Sequence, residues 1–315
     1  MRRCCLRSIR QFAALVGTIF VAASPAASST TTILPTPGTS CQSRPGAGYT
    51  TDINSSLQVV GVGGPNGACL WQDGLCVDLG RLTSAPFEIS IRQGSIAYAI
   101  NESGQVVGCC DIPCEQTVDG CLNRGRHAFL WANGVMTDLH PHPRDTEPRF
   151  STAIDINADG TVLGWTENSD ASNRHAVMWT NGSMIDLTNL YDIPEIQYFF
   201  PVAINDAGVI VGNSPHTVGQ DGVQQPWRLS NGIFTWIGEP NDWVTGINND
   251  GTIIGYGVSE AGCPLPGQYR FTGWILSNGL YIRPAGPDTF FNGISDEGQV
   301  FGCYETVSCD NSTSQ

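Results

Sequence analysis

There is no lysine anywhere in this chain, and charged residues make up only 14% of it. Long solvent-facing helices with charged outer faces are therefore poorly provided for. The 15 arginines face 29 acids, a net charge of −14. That balance repels phosphate backbones and argues against nucleic acid as a partner. No apolar run reaches the roughly 20 residues of a membrane-spanning helix. The nucleophile pattern Gly-x-Ser-x-Gly is missing; its nearest approach is Ser259 between Gly257 and Ala261. Paired Cys-x-x-Cys zinc ligands are missing too. Nothing in the chain calls for a cofactor.

What is plentiful is glycine, at 37 residues, and proline, at 19. That mix suits many short strands joined by tight turns. The N-terminus has to be set apart first. Arg2, Arg3, Arg7 and Arg10 form a basic segment, Phe12–Ala23 is apolar over 12 residues, and Ala23, Ser24, Ala26 and Ala27 are small. This is the layout of a secretory signal peptide over residues 1–27, with cleavage near Ala27. The mature chain would keep 11 Arg against 29 acids, −18, and is expected to be secreted, or periplasmic, with no membrane span. Cys4 and Cys5 leave with the signal. The ten that remain, Cys41, Cys69, Cys76, Cys109, Cys110, Cys114, Cys121, Cys263, Cys303 and Cys309, are disulfide candidates in an exported protein.

A nine-residue unit, Ile-Asn-x-x-Gly-x-Val-Val-Gly, recurs with substitutions. It opens at Ile53, Ile100, Ile156, Ile204, Ile247 and Ile294, and closes at Gly61, Gly108, Gly164, Gly212, Gly255 and Gly302. Asn follows the Ile in five copies and Ser295 in the last; Leu57 takes the central glycine's place in the first. The pattern reads as a β-hairpin whose Asn and Gly sit in the turn, since both tolerate positive φ. Between copies lies a second hairpin, turning at Asp73-Gly74, Asn133-Gly134, Asn181-Gly182, Asn231-Gly232 and Asn278-Gly279. Trp71, Trp131, Trp179, Leu229 and Leu276 stand two residues before these turns, and Cys69, Phe129, Val177, Trp227 and Trp274 four before. A period of two puts each pair on one strand face, as core.

Two hairpins in 43–56 residues is the arithmetic of a β-propeller blade. The expected architecture is all-β: residues 28–49 as N-terminal strand and linker, 50–304 as a propeller of four-stranded blades, and 305–315 as a tail. A β-solenoid or a sandwich is the alternative. Five repeats are complete and a sixth is partial. Thr30–Pro35 is expected to supply that sixth blade with its outer strand.

The fullest second unit is His127-Ala128-Phe129-Leu130-Trp131, Asn133-Gly134, Met136, Asp138-Leu139. The next copy is His175-Ala176-Val177-Met178-Trp179, Asn181-Gly182, Met184, Asp186-Leu187. With the nine-residue unit before it, this resembles the HAF family of extracellular repeat proteins, over about residues 50–302. Copies four and five depart from it at Pro226-Trp227 and Gly273-Trp274. The resemblance implies a secreted bacterial repeat protein and carries no catalytic residues to transfer.

In an up-and-down blade the tight turns share one end, and the other connections share the opposite end. Length varies only at the second end, where binding functions gather on rigid scaffolds. The candidate ligand residues there are His140, His142, Arg144, Asp145 and Arg149, with Tyr191, Asp192, Glu195 and Tyr198. His140 and His142 lack a third metal ligand of diagnostic spacing, so no metal is expected. Asp155-x-Asn157-x-Asp159-Gly160 imitates a calcium loop, yet Thr166 stands where its last acid should be. His127 and His175 open equivalent strands, which favours a structural role. The sequence reads as a binding scaffold for a protein or glycan, a monomer that leans away from enzymatic activity. A secreted propeller hydrolase or lyase acting on a carbohydrate or small ester is the alternative, and an envelope-associated structural role a third.

Cys69 and Cys76 flank the Asp73-Gly74 turn. In a regular two-residue turn they are diagonal neighbours, about 7–8 Å apart. A bridge is therefore expected only if the turn carries a bulge. Asn54, Asn101, Asn181 and Asn311 match the N-glycosylation pattern, but three of them lie in repeat turns.

Overall fold

The computed structural model describes residues 18–20, 31–33, 49–82, 94–112, 115–117, 120–122, 125–140, 150–168, 174–190, 200–215, 223–259, 270–283 and 288–305. They form antiparallel four-stranded sheets with sequential up-and-down order. Blade 1 holds Tyr49–Ile53, Val59–Gly64, Gly67–Gln72 and Leu75–Asp78. Blade 2 holds Ser95–Ile100, Val106–Ile112, Gly125–Ala132 and Val135–Asp138; blade 3 holds Phe150–Ile156, Val162–Glu167, Arg174–Thr180 and Ser183–Asp186. A single parallel bridge, Arg126 to Phe150, joins these two. Blade 4 holds Phe200–Ile204, Ile210–Pro215, Gln224–Ser230 and Ile233–Trp236; blade 5 holds Asp242–Ile247, Ile253–Ser259, Arg270–Ser277 and Leu280–Ile282. A last hairpin, Asp288–Ile294 with Val300–Glu305, forms a two-stranded sheet among the described residues. Repeated sheets of this kind are the blades of a β-propeller, and the chain is an all-β protein of that class. It divides into two compact units. Ile9–Leu190 carries blades 1 to 3, and Tyr191–Gln315 carries blades 4 and 5 and the last hairpin.

The outer hairpin of every blade forms as its sequence dictates. Asn133 and Gly134 take φ of 51° and 85°, and the other four turns match them closely. This is the mirror-image turn whose twist fits paired strands. Strand register then places the aromatic pair on the inner face. Trp179, Trp227 and Trp274 are 2%, 1% and 0% exposed.

The inner hairpin corrects one expectation. Its glycines do take positive φ, and Leu57 is forced to 60° where the other copies have Gly. Its asparagines do not. They are buried, and each side chain closes its own turn; those of Asn54, Asn101, Asn205 and Asn248 also reach the neighbouring blade. Asn101 accepts the Gln105 amide at 3.0 Å and donates to the main-chain oxygen of Asn157 at 3.1 Å. Asn54 reaches Asn101, Asn205 reaches Asn248, and Asn248 reaches Ser295 in the same way. A hydroxyl links the blades a second time. Ser95, Ser151 and Thr289 accept the main-chain N–H of Ala68, Ala128 and Gly273 in the preceding blade. A bulge recurs in the first strand of every copy, as between Ala97 and Ala99, and Thr51 in one such bulge donates to Ala97 at 2.8 Å.

Three further expectations are corrected. Thr31–Ile33 does form a strand, but it pairs with Thr18–Phe20, and the sheet of the last hairpin has two strands among the described residues. Cys69 and Cys76 are joined across a regular turn, with Trp71 opposite Cys76 and no bulge. Their Cα atoms are 5.9 Å apart. Hairpin twist shortens one diagonal of the ladder at the expense of the other, and this pair lies on the short one. Cys109 and Cys110 are buried free thiols. The connection holding Cys114 and Cys121 contains a small hairpin, Glu115–Thr117 with Gly120–Leu122. One helical turn, Leu187–Leu190, follows blade 3.

Candidate functional site

Each blade has a turn end, where both hairpins close, and a loop end, where the second connection and the link to the next blade run. At the turn end the repeat explains the side chains. The buried asparagines belong to the ladder just described. The exposed residues beside them also bond to one another, with the Ser55 hydroxyl on Glu102 and the Asn249 amide on Asp206 and Asp296. The calcium-like run belongs here too. Asp155 accepts the amide of Ile156 and Asn157 that of Thr161, both as parts of the blade. Among the described residues there is no group of three or more His, Cys, Asp or Glu able to hold a metal. Asn54 and Asn101 have their amide nitrogens engaged and buried, so their glycosylation patterns are silent in the folded chain.

The loop end is less uniform. An aspartate closes the fourth strand in blades 1 to 3, and each of its two oxygens has a task. Oδ1 of Asp78, Asp138 and Asp186 accepts the amide two residues on, from Gly80, His140 and Thr188, at 3.1, 2.8 and 2.9 Å. Oδ2 meets the side chain at the start of the third strand: Asn66 Nδ2 at 2.7 Å, His127 Nδ1 at 2.9 Å and His175 Nδ1 at 2.6 Å. His127 and His175 thus each hold the aspartate that ends the fourth strand of their own blade. The Asp186 hydrogen bond, outweighing partial burial, raises the His175 pKa above the ordinary histidine value.

Of the candidate ligand residues only His140 is described. It is buried at 1% exposure, its ring 5.3 Å from that of His127. His142, Arg144, Asp145, Arg149, Tyr191, Asp192, Glu195 and Tyr198 lie outside the described residues. Of the cysteines, so do Cys41, Cys114, Cys263 and Cys309. Beside His127, Arg126 pairs with Asp111 at 3.1 Å. In blade 3 Arg174 bonds Glu167 at 2.8 Å and lies 4.4 Å above the Trp165 ring. Cys109 shares a hydrogen bond with Tyr98. Burial, only partly countered by Arg126, pushes its thiol up to about 12, so it is no nucleophile at neutral pH.

Blade 5 holds a cluster that the repeat conceals. In blades 2 and 3 the residue before the key aromatic or valine is Ala, whose N–H needs an acceptor; in blade 4 it is Pro226, which has none to offer. The facing hydroxyl is replaced by Asp242, fully buried. Asp242 bonds Arg283 at 2.6 Å, accepts the Tyr281 hydroxyl, and accepts the Glu239 amide at 2.8 Å. Arg283, on the far side of the sheet, occupies the position that Asp78, Asp138 and Asp186 hold in their blades. It reaches Asp242 across Gly257, where a Cβ would lie 2.3 Å from Asp242 Oδ1 and 2.4 Å from Arg283 Nη1. Sequence reasoning missed this cluster; the signal available was the joint departure of Pro226, Asp242, Gly257 and Arg283 from the repeat.

No protein-family model matches the chain, and no curated protein does. Solved structures do. One is the β-propeller domain of the Trilobed protease from Pyrococcus furiosus, at 12% identity and a TM-score of 0.45, covering 73% of this chain and 65% of that one. Another is the acylaminoacyl peptidase of Pyrococcus horikoshii, at 13% identity and 0.41, covering 70% of this chain and 30% of that one. A third is dipeptidyl peptidase 4 of Porphyromonas gingivalis, at 12% and 0.45, covering 76% and 39%. The chain thus spans less than two thirds of each of these relatives. The class of this protein, an all-β protein of propeller blades, rests on its own sheets.

Proposed function

We propose that the chain is an exported HAF-type repeat protein, a β-propeller scaffold that binds a protein or a glycan at the loop ends of its blades. One observation carries this reading: the two ends of each blade are used differently. The turn ends are closed by hydrogen bonds that recur from copy to copy. The loop ends carry all of the length variation, and every ion pair of arginine with acid found among the described residues lies there. The disulfide Cys69–Cys76 fits an exported chain, and among the described residues no helix is long and apolar enough to cross a membrane.

The test uses the mature, oxidised chain on a glycan array and in affinity capture from its own extracellular milieu. A variant whose links 139–149 and 187–199 are replaced by the short link 237–241 serves as control. The reading expects a ligand bound by the mature chain and lost by the variant, with the blades intact by circular dichroism. Equal binding by both overturns it.

A further inference from the structure

The aspartate at the end of the fourth strand tracks a feature of the chain that neither its own blade nor the neighbouring blade requires. Where it is present, in blades 1, 2 and 3, the link to the next blade is long: residues 79–94, 139–149 and 187–199. Where it is absent the link is short, residues 237–241 after Trp236 and residues 284–287 after Arg283, which hold the aspartate's position in blades 4 and 5. A short link is held by its two strands. A long one is held less by its far strand, because loop closure constrains a chain less as it lengthens. Its root keeps contacts to the third strand, Leu79 to Ala68, Leu139 to Ala128 and the Thr188 hydroxyl to Ala176, and the carboxylate adds to them. The geometry points to a loop-root clamp. The carboxylate takes the second amide of the link on one oxygen and is held on the other by Asn66, His127 or His175, and the histidine clamp of blade 3 tightens in acid.

The three clamps share one backbone geometry and differ in the third-strand group. Asn66 cannot titrate, so blade 1 is an internal control. In blade 3 the charged groups near the histidine among the described residues are Asp186, Glu167 and Arg174. Asp186 faces it from the fourth strand at 2.6 Å, while Glu167 on the second strand and Arg174 beside it are paired to each other at 2.8 Å. The residue directly opposite His175 on the second strand is Thr166, which carries no charge. Protonated, the imidazole meets the Asp186 carboxylate with charge on both partners; neutral, its Nδ1–H donates to the carboxylate with charge on the acceptor alone, a weaker contact. Because Asp186 raises the histidine's folded-state pKa, the added restraint is complete below the unfolded value of about 6.5. It is lost as pH rises through the raised folded value. The clamp does not depend on the proposed ligand, since its readout is the backbone itself.

The experiment is residue-resolved amide exchange on the full chain, expressed as protection factors so that the intrinsic pH dependence of exchange cancels. Gly80, His140 and Thr188 are the reporting amides. Thr188 should lose about five-fold in protection from the acid to the alkaline side of the transition, as the Asp186 carboxylate it bonds loses the imidazolium that holds its other oxygen. Gly80 should stay level. His175→Asn should copy blade 1, keeping Thr188 protected and flattening its pH profile. His175→Ala should lower Thr188 protection about ten-fold, at the ~1.4 kcal/mol scale of one hydrogen bond to a charged group, and leave Gly80 unchanged. A Thr188 profile as level as that of Gly80 in the unmodified chain, or a His175→Asn variant that keeps the pH response, overturns the titrating clamp. Unaltered Thr188 protection in His175→Ala overturns the clamp itself.

Discussion

Asn101 donates its side-chain amide to the main-chain oxygen of Asn157, 56 residues further along the chain, at 3.1 Å. The same amide group closes its own turn through Gln105. One buried side chain therefore fixes a hairpin and joins two blades. The series stops at the last copy, where Ser295 replaces asparagine and uses its hydroxyl on its own turn, at Gln299. Serine is too short to continue the chain of amides.

Replacing Asn101 by Ala strands the Asn157 oxygen in the interior and leaves the part-buried amides of Ser103 and Gln105 without their acceptor. The expected loss is about 2–3 kcal/mol, the cost of buried polar groups left without partners. It should be read as a shift in urea midpoint with an unchanged slope. Ser295→Ala should lose well under half of that, because no onward bond is broken.

Gly257 leaves the gap through which Arg283 reaches Asp242. Gly257→Ala should destabilise by about 1–3 kcal/mol, as overpacking does. Arg283→Met should cost about 3–5 kcal/mol, because Asp242 is left as a buried charge without its cation. The two effects should fall short of additive in the double variant, since the alanine then meets no guanidinium. Additive losses, measured by chemical denaturation, would separate the glycine from the ion pair.

The Cys69–Cys76 bridge closes a short loop, so its contribution belongs at the low end of the disulfide range. Cys76→Ser should lower stability by about 2 kcal/mol. Cys109 and Cys110 should react with a thiol reagent only as fast as the protein unfolds, because both are buried and burial raises both thiols. Rapid modification of either in native protein at pH 8 would contradict their placement.

Export, if the N-terminus is a signal, also rearranges local pairing. The mature chain should begin near Ser28, and mass spectrometry of exported protein checks this. Removal of residues 1–27 takes away Thr18–Phe20, the strand opposite Thr31–Ile33. Limited proteolysis should then cut near Thr31–Ile33 faster in the mature chain than in the full-length one.

Much of the fold was legible because its signals are local. Asn-Gly turns, period-two aromatics and the spacing of Ile to Gly each act within about ten residues. The ladder was not legible as a ladder. Asn101 looks like a turn residue in sequence, and its partner lies in another copy of the repeat. The disulfide was misjudged because a flat ladder was assumed, and hairpin twist changes a diagonal by more than an ångström. At the loop end, Asp138 and Asp186 stood out as repeat positions, and their histidines did too. What joined them was a contact across the blade between the start of one strand and the end of the next. The Asp242 cluster was hidden because its members matter as departures from the pattern.

The central claim is that ligand meets the loop ends of the blades while the turn ends stay structural. Hydroxyl-radical footprinting of the mature chain with and without its bound ligand tests this most directly. The account predicts protection in the links 139–149 and 187–199, at reactive side chains such as His142, Tyr191 and Tyr198, with the exposed Leu57, Val135, Ile233 and Leu280 at the turn ends unchanged. Protection of those four, with the links as reactive as in the free protein, would contradict it.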